Sequence, residues 1–189
     1  DSLEGYRWLP ELLRLPWLTY VLVNAPDPYF GGYSWYDFDG NPDAGVRRSR
    51  ALLIELLEKR QRSGWIPERQ FLFGFSQGGL MTLDTGLRYP RSLAGLIAVS
   101  GYVHEPASLL RERSPAAARV PVLVTHGTRD PMIPIEPVRH QIDGLREAGV
   151  PIRWHEFPKE HTIAGEQELS VIRRFVEEVR AGAPVPGQS

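Results

Sequence analysis

Residues 74–79 read Gly-Phe-Ser-Gln-Gly-Gly and place Ser76 at the centre of the pattern G-x-S-x-G. Residues 69–73 predict a short buried strand, and residues 80–84 predict the first turns of a helix. In a sharp turn from a strand to a helix, the positions two before and two after the serine come into contact, so both must lack a side chain. Such a turn raises the hydroxyl clear of the backbone, as a catalytic nucleophile requires.

A serine hydroxyl becomes a good nucleophile when a base takes its proton, and the base needs a carboxylate to fix its tautomer. Asp130 comes just after a predicted strand at residues 120–125, and His161 comes just after another at residues 152–157. Ser76, Asp130 and His161 thus each follow a different strand, in the chain order Ser, Asp, His. Because the carboxyl ends of parallel strands share one edge of a sheet, we expect a catalytic triad there.

Each of these residues has a plainer interpretation when it is taken alone. Ser76 could be inert in a glycine-rich turn, Asp130 could cap a helix or a turn, and His161 could be a solvated loop residue. Agreement in residue type, chain order and strand position favours the triad. His126 also follows a strand, but its tight His-Gly turn predicts a hydrogen-bonded structural residue.

Strands and helices alternate along the chain, which predicts an α/β fold whose mostly parallel central sheet has helices on both faces. Residues 25–43 form a long irregular segment rich in aromatic residues, which favours either a binding loop or a structural cover over the core. A short helix within residues 1–16 is expected to have a cap at Asp1 or Ser2 and a break at Pro10. The other predictions are strands at residues 17–24, 69–73, 93–100, 120–125 and 152–157, helices at residues 46–62, 80–89, 137–148 and 166–180, and a frayed tail beyond residue 181.

The composition is that of one globular domain, spanning residues 1–189. A net charge of −1 gives no electrostatic reason to expect nucleic acid or an anionic membrane as a partner. The absence of cysteine excludes a cysteine nucleophile, thiolate metal sites and disulfides. The chain has no H-E-x-x-H metal pattern, no phosphate-loop pattern and no run as long as a transmembrane helix. The sequence therefore predicts no metal and no stable membrane insertion.

Four separated segments resemble the phospholipase/carboxylesterase family, the relatives of the acyl-protein thioesterases. The resemblance implies an α/β-hydrolase fold and a serine hydrolase that cleaves carboxylic ester or thioester bonds of small acyl substrates without a cofactor. It also implies a cytoplasmic location, as in most members. The resemblance runs to about Arg180, and its segments are residues 34–37 (Ser-Trp-Tyr-Asp), 74–79, 125–134 (Thr-His-Gly-Thr-Arg-Asp-Pro-Met-Ile-Pro) and 160–162 (Glu-His-Thr).

By this resemblance each residue of the site has a role. Ser76 is the nucleophile, and His161 is the base and then the acid. Asp130 orients the histidine, and Gln77 donates one backbone amide to the oxyanion. The aromatic segment could be a pocket lid or the surface of a homodimer. Five residues that flank these turns could form an acyl pocket, although each could equally pack in the core: Trp35, Phe75, Tyr102, Met132 and Ile133.

The family pattern opens with a strand that ends in H-G-x-G-D-[ST], whose loop supplies a second oxyanion donor. Asp1 and Ser2 resemble the end of that motif, so the given chain lacks this strand, and we expect the strand to precede Asp1 in the native protein. Loss of one oxyanion donor costs about 10²–10³-fold in rate. A catalytically weak or silent binding protein of the same fold is therefore the alternative function. A peptidase of this fold, which would usually carry a further domain, is a second alternative.

Overall fold

The computed structural model describes residues 2–37 and 40–182 and contains two sheets. Its strands are β1 (Asp27–Tyr29), β2 (Gly32–Ser34), β3 (Phe71–Phe75), β4 (Gly95–Val99), β5 (Val122–Gly127) and β6 (Ile152–Phe157). Strands β3, β4, β5 and β6 pair in that order as a parallel sheet, and β1 pairs with β2 as an antiparallel hairpin. The four parallel strands are those predicted from residue 69 onwards, which confirms the α/β class.

Helices cover both faces of the parallel sheet. They are α1 (Leu9–Leu13), α2 (Asp43–Arg62), α3 (Gln77–Arg88), α4 (Pro106–Glu112), α5 (Ile135–Glu147) and α6 (Gly165–Arg180), with 3-10 turns at Leu3–Tyr6, Pro67–Arg69 and Pro115–Ala118. Across the ranges that the structure describes, no helix combines the length and the apolar character that a membrane span needs.

Successive side chains of the parallel sheet point into two separate hydrophobic layers, as the pleat of a strand requires. One layer packs against α3 and α5, and the other packs against α1 and α6. Every residue of β4 and β5 is buried, which explains the nearly continuous apolar sequence of both strands. The first layer includes Leu96, Ala98, Val122 and Val124 of the sheet, and the second includes Ile97, Val99 and Leu123.

The predicted strand at residues 17–24 is wrong, because these residues form no strand. Residues 18–24 lie across a cleft of about 1670 Å³ from β3, and both sides contribute to its lining. Strand β3 pairs only with β4, so its other edge has no strand partner in the described part of the chain. An apolar segment forms a strand only where a neighbouring backbone accepts and donates its hydrogen bonds.

Two other expectations near the N-terminus change in the structure. Pro10 lies in the first turn of α1, where its missing N–H costs no hydrogen bond, so it begins a helix instead of breaking one. The aromatic segment contains the β1–β2 hairpin, whose turn residues Phe30 and Gly31 both have positive φ. Outside the described residues lie the predicted cap Asp1, Phe38 of the aromatic segment and residues 183–189 of the predicted tail.

The connection from β3 to α3 is a close contact between two stretches of backbone. A Cβ at Gly74 would lie 2.0 Å from the carbonyl oxygen of Gly78. The prediction that Gly78 must also lack a side chain is wrong, because a Cβ there would make only an ordinary 3.8 Å contact with Trp35. Gly78 instead supplies the backbone that approaches Gly74. At the apex, Ser76 has φ +56° and ψ −119°, a strained conformation for a residue with a side chain.

We expect Gly74→Ala to lower the free energy of unfolding by about 3 kcal/mol, because the new methyl group overlaps backbone that cannot move aside. Chemical denaturation of both proteins measures this difference. Gly144→Ala is the matched control, since a Cβ at Gly144 in α5 would meet no atom within 4 Å. An alanine inside a helix should raise the free energy of unfolding by about 0.5–1 kcal/mol. Equal stabilities for wild type and Gly74→Ala would contradict the close contact.

Candidate active site

The structure brings Ser76, His161 and Asp130 into one chain of hydrogen bonds. Nε2 of His161 lies 2.8 Å from Oγ of Ser76, and Nδ1 of His161 lies 2.7 Å from Oδ2 of Asp130. A carboxylate only accepts hydrogen bonds, so the proton of the neutral imidazole is assigned to Nδ1. Nε2 is then left to accept the proton of the serine hydroxyl. Each residue follows the carboxyl end of a different strand, namely β3, β5 and β6.

Asp130 is buried and holds its position through the turn that follows it. Its Oδ1 accepts hydrogen bonds from the backbone N–H groups of Met132 and Ile133, each at 2.9 Å. Burial alone would raise the pKa of Asp130, but the hydrogen bonds from these amides and from His161 outweigh it and hold the pKa below its ordinary value. Asp130 is therefore a carboxylate at neutral pH, oriented independently of His161.

His126 is near this carboxylate but takes a different position. Its Nε2 lies 2.8 Å from the carbonyl oxygen of Ile133 and 3.7 Å from Oδ2 of Asp130. Its side chain is fully buried, and burial lowers the pKa of His126. The neutral ring donates from Nε2 to the carbonyl and so ties the end of β5 to the turn that holds Asp130. The hydrogen-bonded structural role that the sequence predicts for His126 is consistent with these contacts.

Ser76 and Gln77 begin α3 directly at the end of β3. The N–H of Ser76 donates to the carbonyl of Val99 at 2.9 Å, which ties the strained residue to β4. Gln77 is the first residue of α3, and the partial positive charge of a helix N-terminus favours negative charge beside it. The ring of Phe75 lies 4.9 Å from the ring of His161, between centroids. Ser76 is thus tied to β4 through its own N–H, and the side chain before it packs against His161.

The side chain of Gln77 has contacts that the sequence did not predict. Its Oε1 accepts from Oγ of Ser34 at 3.1 Å and from the N–H of Trp35 at 3.0 Å. Its Nε2 donates to the carbonyl of Tyr36 at 3.2 Å. Residues 34–37 and 74–79 are two segments of the family resemblance. Their common membership in that resemblance is the sequence feature that could have indicated a contact between them. The side-chain amide of Gln77 therefore attaches β2 and the two residues after it to the turn that carries Ser76.

Three of the five residues considered for an acyl pocket lie in one cleft with Ser76 and His161. Trp35, Phe75 and Met132 contribute to the lining of this cleft, which is the one between β3 and residues 18–24. The other two residues, Tyr102 and Ile133, are not part of that lining and pack in the hydrophobic core. The Tyr102 hydroxyl lies 3.1 Å from that of Tyr36, and Ile133 is only 9% exposed.

One group of candidate metal ligands lies apart from Ser76, His161 and Asp130. Asp43, His104 and Glu105 have ligand atoms within 4.8 Å of one another, and they line a separate small cavity. Nε2 of His104 already lies 2.9 Å from Oδ1 of Asp43, so this pair is joined by a hydrogen bond. Arg47 and Arg50 line the same cavity, and their positive charge opposes a cation there.

Comparisons with known proteins agree with this fold. Residues 14–180 match the model of the phospholipase/carboxylesterase family. A probable carboxylesterase of Oryza sativa subsp. japonica is 31% identical over 183 residues, which cover 90% of this chain and 69% of the rice protein. Acyl-protein thioesterase 1 of Debaryomyces hansenii is 27% identical in an alignment 201 positions long, which covers 95% of this chain and 87% of the yeast protein.

The crystal structure of Arabidopsis thaliana SOBER1 has the same architecture. The two structures superpose with a TM-score of 0.87 over 95% of this chain and 94% of the plant chain, at 25% sequence identity. The family match covers most of the chain, and the parallel sheet carries G-x-S-x-G at the end of β3. The chain therefore belongs to the phospholipase/carboxylesterase family, a group of ester-hydrolysing enzymes with the α/β-hydrolase fold.

Proposed function

We propose that the protein hydrolyses carboxylic ester or thioester bonds of small acyl substrates through an acyl-serine intermediate. The observation that carries this proposal is the chain of hydrogen bonds from Ser76 through His161 to Asp130. The similarity to one relative named as a carboxylesterase and another named as an acyl-protein thioesterase supports both bond types. Both present an acyl carbonyl to the nucleophile, and they differ in whether an alcohol or a thiol leaves.

Acylation uses the two hydrogen bonds of His161 in turn. Nε2 takes the hydroxyl proton as Oγ of Ser76 attacks the carbonyl carbon, and Asp130 stabilises the imidazolium that forms. Nε2 then gives this proton to the leaving alcohol or thiol as its bond to the acyl carbon breaks. Water attacks the acyl-serine by the same route, with its proton passing to Nε2 and then to Oγ of Ser76. The carboxylic acid leaves, and the enzyme returns to its starting state.

The negative oxygen of the tetrahedral intermediate needs hydrogen-bond donors. The first N–H groups of a helix have no acceptor within the helix, so the backbone N–H of Gln77 at the start of α3 is suited to this task. The second donor that the family resemblance implies stays a prediction. Trp35, Phe75 and Met132 would contact the acyl part of a substrate, because they line the cleft that contains Ser76.

Three broader expectations complete the proposal. The single-domain organisation over residues 1–189, the cytoplasmic location and a homodimer stay predictions, and each has its own test in limited proteolysis, localisation of the tagged protein or sedimentation. The lack of any cofactor requirement follows from the chemistry, since the serine and histidine supply both the nucleophile and the proton transfers.

We expect a fluorophosphonate to add one phosphonyl group to wild-type protein, because an activated serine attacks phosphorus as it attacks a carbonyl. Intact mass spectrometry measures the adduct. Ser76→Ala should remain unmodified, while Ser170→Ala, which removes a hydroxyl from the exposed side of α6, should react like wild type. No adduct on folded wild-type protein would contradict an activated Ser76 and favour the silent binding protein.

We expect Asp130→Asn to lower kcat for a chromogenic ester by about 10⁴-fold, because an amide at this position favours the imidazole tautomer that cannot accept the serine proton. KM should change little, since Asp130 is buried beneath His161 and away from the substrate. Asp143→Asn on the exposed face of α5 serves as the control and should retain wild-type kinetics. A similar kcat for Asp130→Asn and wild type would show that this hydrogen bond has no part in the reaction.

The lowered pKa of Asp130 also predicts a pH dependence of stability. Its carboxylate stabilises the folded state fully above its ordinary pKa of 3.8, and this stabilisation is lost as the pH falls through the lower pKa of the folded state. Urea unfolding of wild type and Asp130→Asn between neutral and acidic pH measures the difference. We expect the gap between the two proteins to narrow below pH 3.8. A gap that stays constant throughout would contradict the shift.

A further inference from the structure

A fully buried carboxylate holds both sides of the loop that carries His161. Residues 158–164, the histidine loop, connect β6 to α6. Glu168 of α6 has no exposed surface, and its Oε2 accepts from the N–H of Ala164 at 2.6 Å. Its two oxygens also lie 2.6 and 2.8 Å from Nζ of Lys159. One side chain thus contacts the loop two residues before His161 and three residues after it.

The same carboxylate is also joined to the sheet. Oγ1 of Thr125 in β5 donates to Oε1 of Glu168 at 2.5 Å. Strand β5 leads directly into the turn that carries Asp130. Glu168 therefore connects the histidine loop with the strand that determines where the partner of His161 lies. The two sides of the 2.7 Å bond between His161 and Asp130 are held by a common group.

The histidine loop packs closely against the backbone that follows β5. The N–H of Arg129 donates to the carbonyl of Lys159 at 3.1 Å. A Cβ at Gly127 would lie 2.4 Å from that same carbonyl oxygen and 2.9 Å from the carbonyl oxygen of Glu160. The loop therefore rests directly on the backbone at the end of β5, and only small displacements are allowed while the Lys159 side chain stays bound.

Burying the charged pair of Lys159 and Glu168 costs free energy of folding unless hydrogen bonds compensate for the lost water. Lys159 is 5% exposed, and a charge taken out of water is tolerated only with a close partner and further hydrogen bonds. Burial lowers the pKa of Lys159, and the Glu168 carboxylate counteracts part of that shift. Four hydrogen bonds from three donor groups converge on Glu168, which satisfies this requirement. Apolar side chains of similar size could fill the same space without needing these hydrogen bonds, so packing alone does not explain why a charged pair lies here.

We propose that Glu168, together with Lys159, is a positioning group that holds His161 in reach of both Ser76 and Asp130. The inference rests on the proposed function, since it assigns a supporting role to the histidine of that triad. Neither residue lines the cleft that contains Ser76. Displacing a catalytic group by about 1 Å can lower the rate by about 10²-fold. Accurate placement of the histidine loop should therefore raise kcat.

Glu168→Gln tests this role with the smallest change of shape. The glutamine amide has no negative charge and, in either orientation, places its NH2 against the Lys159 ammonium, so Lys159 loses its counter-charge and one of its two hydrogen bonds to this side chain. We expect kcat for a chromogenic ester to fall about 10- to 100-fold with KM nearly unchanged. Asp84→Asn is the matched control, because Asp84 is 2% exposed and paired with Arg88 and Arg50, but it has no contact with the histidine loop.

A second variant separates positioning from stability. Lys159→Met combined with Glu168→Gln removes the unpaired buried charge, so the melting temperature should recover towards that of wild type while kcat stays low. Recovery of kcat in parallel with the melting temperature would overturn the proposal, because the single variant would then have acted through stability alone. Equal losses of kcat in Asp84→Asn and Glu168→Gln would overturn it as well.

A spectroscopic measurement distinguishes this inference from the proposed function. A proton held between an imidazole and a carboxylate gives a far-downfield resonance in proton NMR, whether or not the enzyme turns over. We expect this signal of His161 in wild type and Asp84→Asn, and its loss or broadening in Glu168→Gln. If wild type shows the signal but hydrolyses nothing, the proposed function fails, while loss of the signal in Glu168→Gln still supports the positioning role. An unchanged signal in Glu168→Gln would overturn the positioning role.

Discussion

The contact between Gly74 and the backbone of Gly78 is the constraint on which the rest of the site depends. With only 2.0 Å available for a Cβ, the chain can pass from β3 into α3 within one residue. That residue, Ser76, accepts a strained backbone because its N–H is bonded to β4 and the following helix begins at once. This short turn both exposes the Ser76 hydroxyl and orients the backbone N–H of Gln77.

The other half of the site depends on buried polar groups. Asp130 is fixed by two amides of its own turn, and the histidine loop is fixed by the carboxylate of Glu168. Hydrogen bonds are directional, whereas apolar packing is not, so they suit a task in which atoms must meet within a few tenths of an ångström. Ser76 is thus positioned by steric exclusion, and His161 by charge and hydrogen bonding.

Hydrogen bonds to two other elements fix one residue of the cleft lining, Trp35. Trp35 directly follows β2, its N–H donates to Oε1 of Gln77, and its carbonyl oxygen accepts from Oγ of Ser49 in α2. For the proposed esterase activity, the position of Trp35 is therefore a feature on which acyl preference would depend.

The sequence by itself determined the residue types of the site, their chain order and the strands that they follow. These features are local, since Gly74 allows the close backbone contact of the turn and β4 and β5 are apolar enough to lie only inside. Tertiary structure alone decided which residues meet. Tyr102 and Ile133 flank the turns of the site in sequence, as Trp35 does, yet both pack in the core. Residues 17–24 have the apolar sequence of a strand but have no strand partner among the described residues. Glu168 reads as an ordinary helical acid and is fully buried, because its partners are supplied by a loop and a strand that the local sequence does not contain.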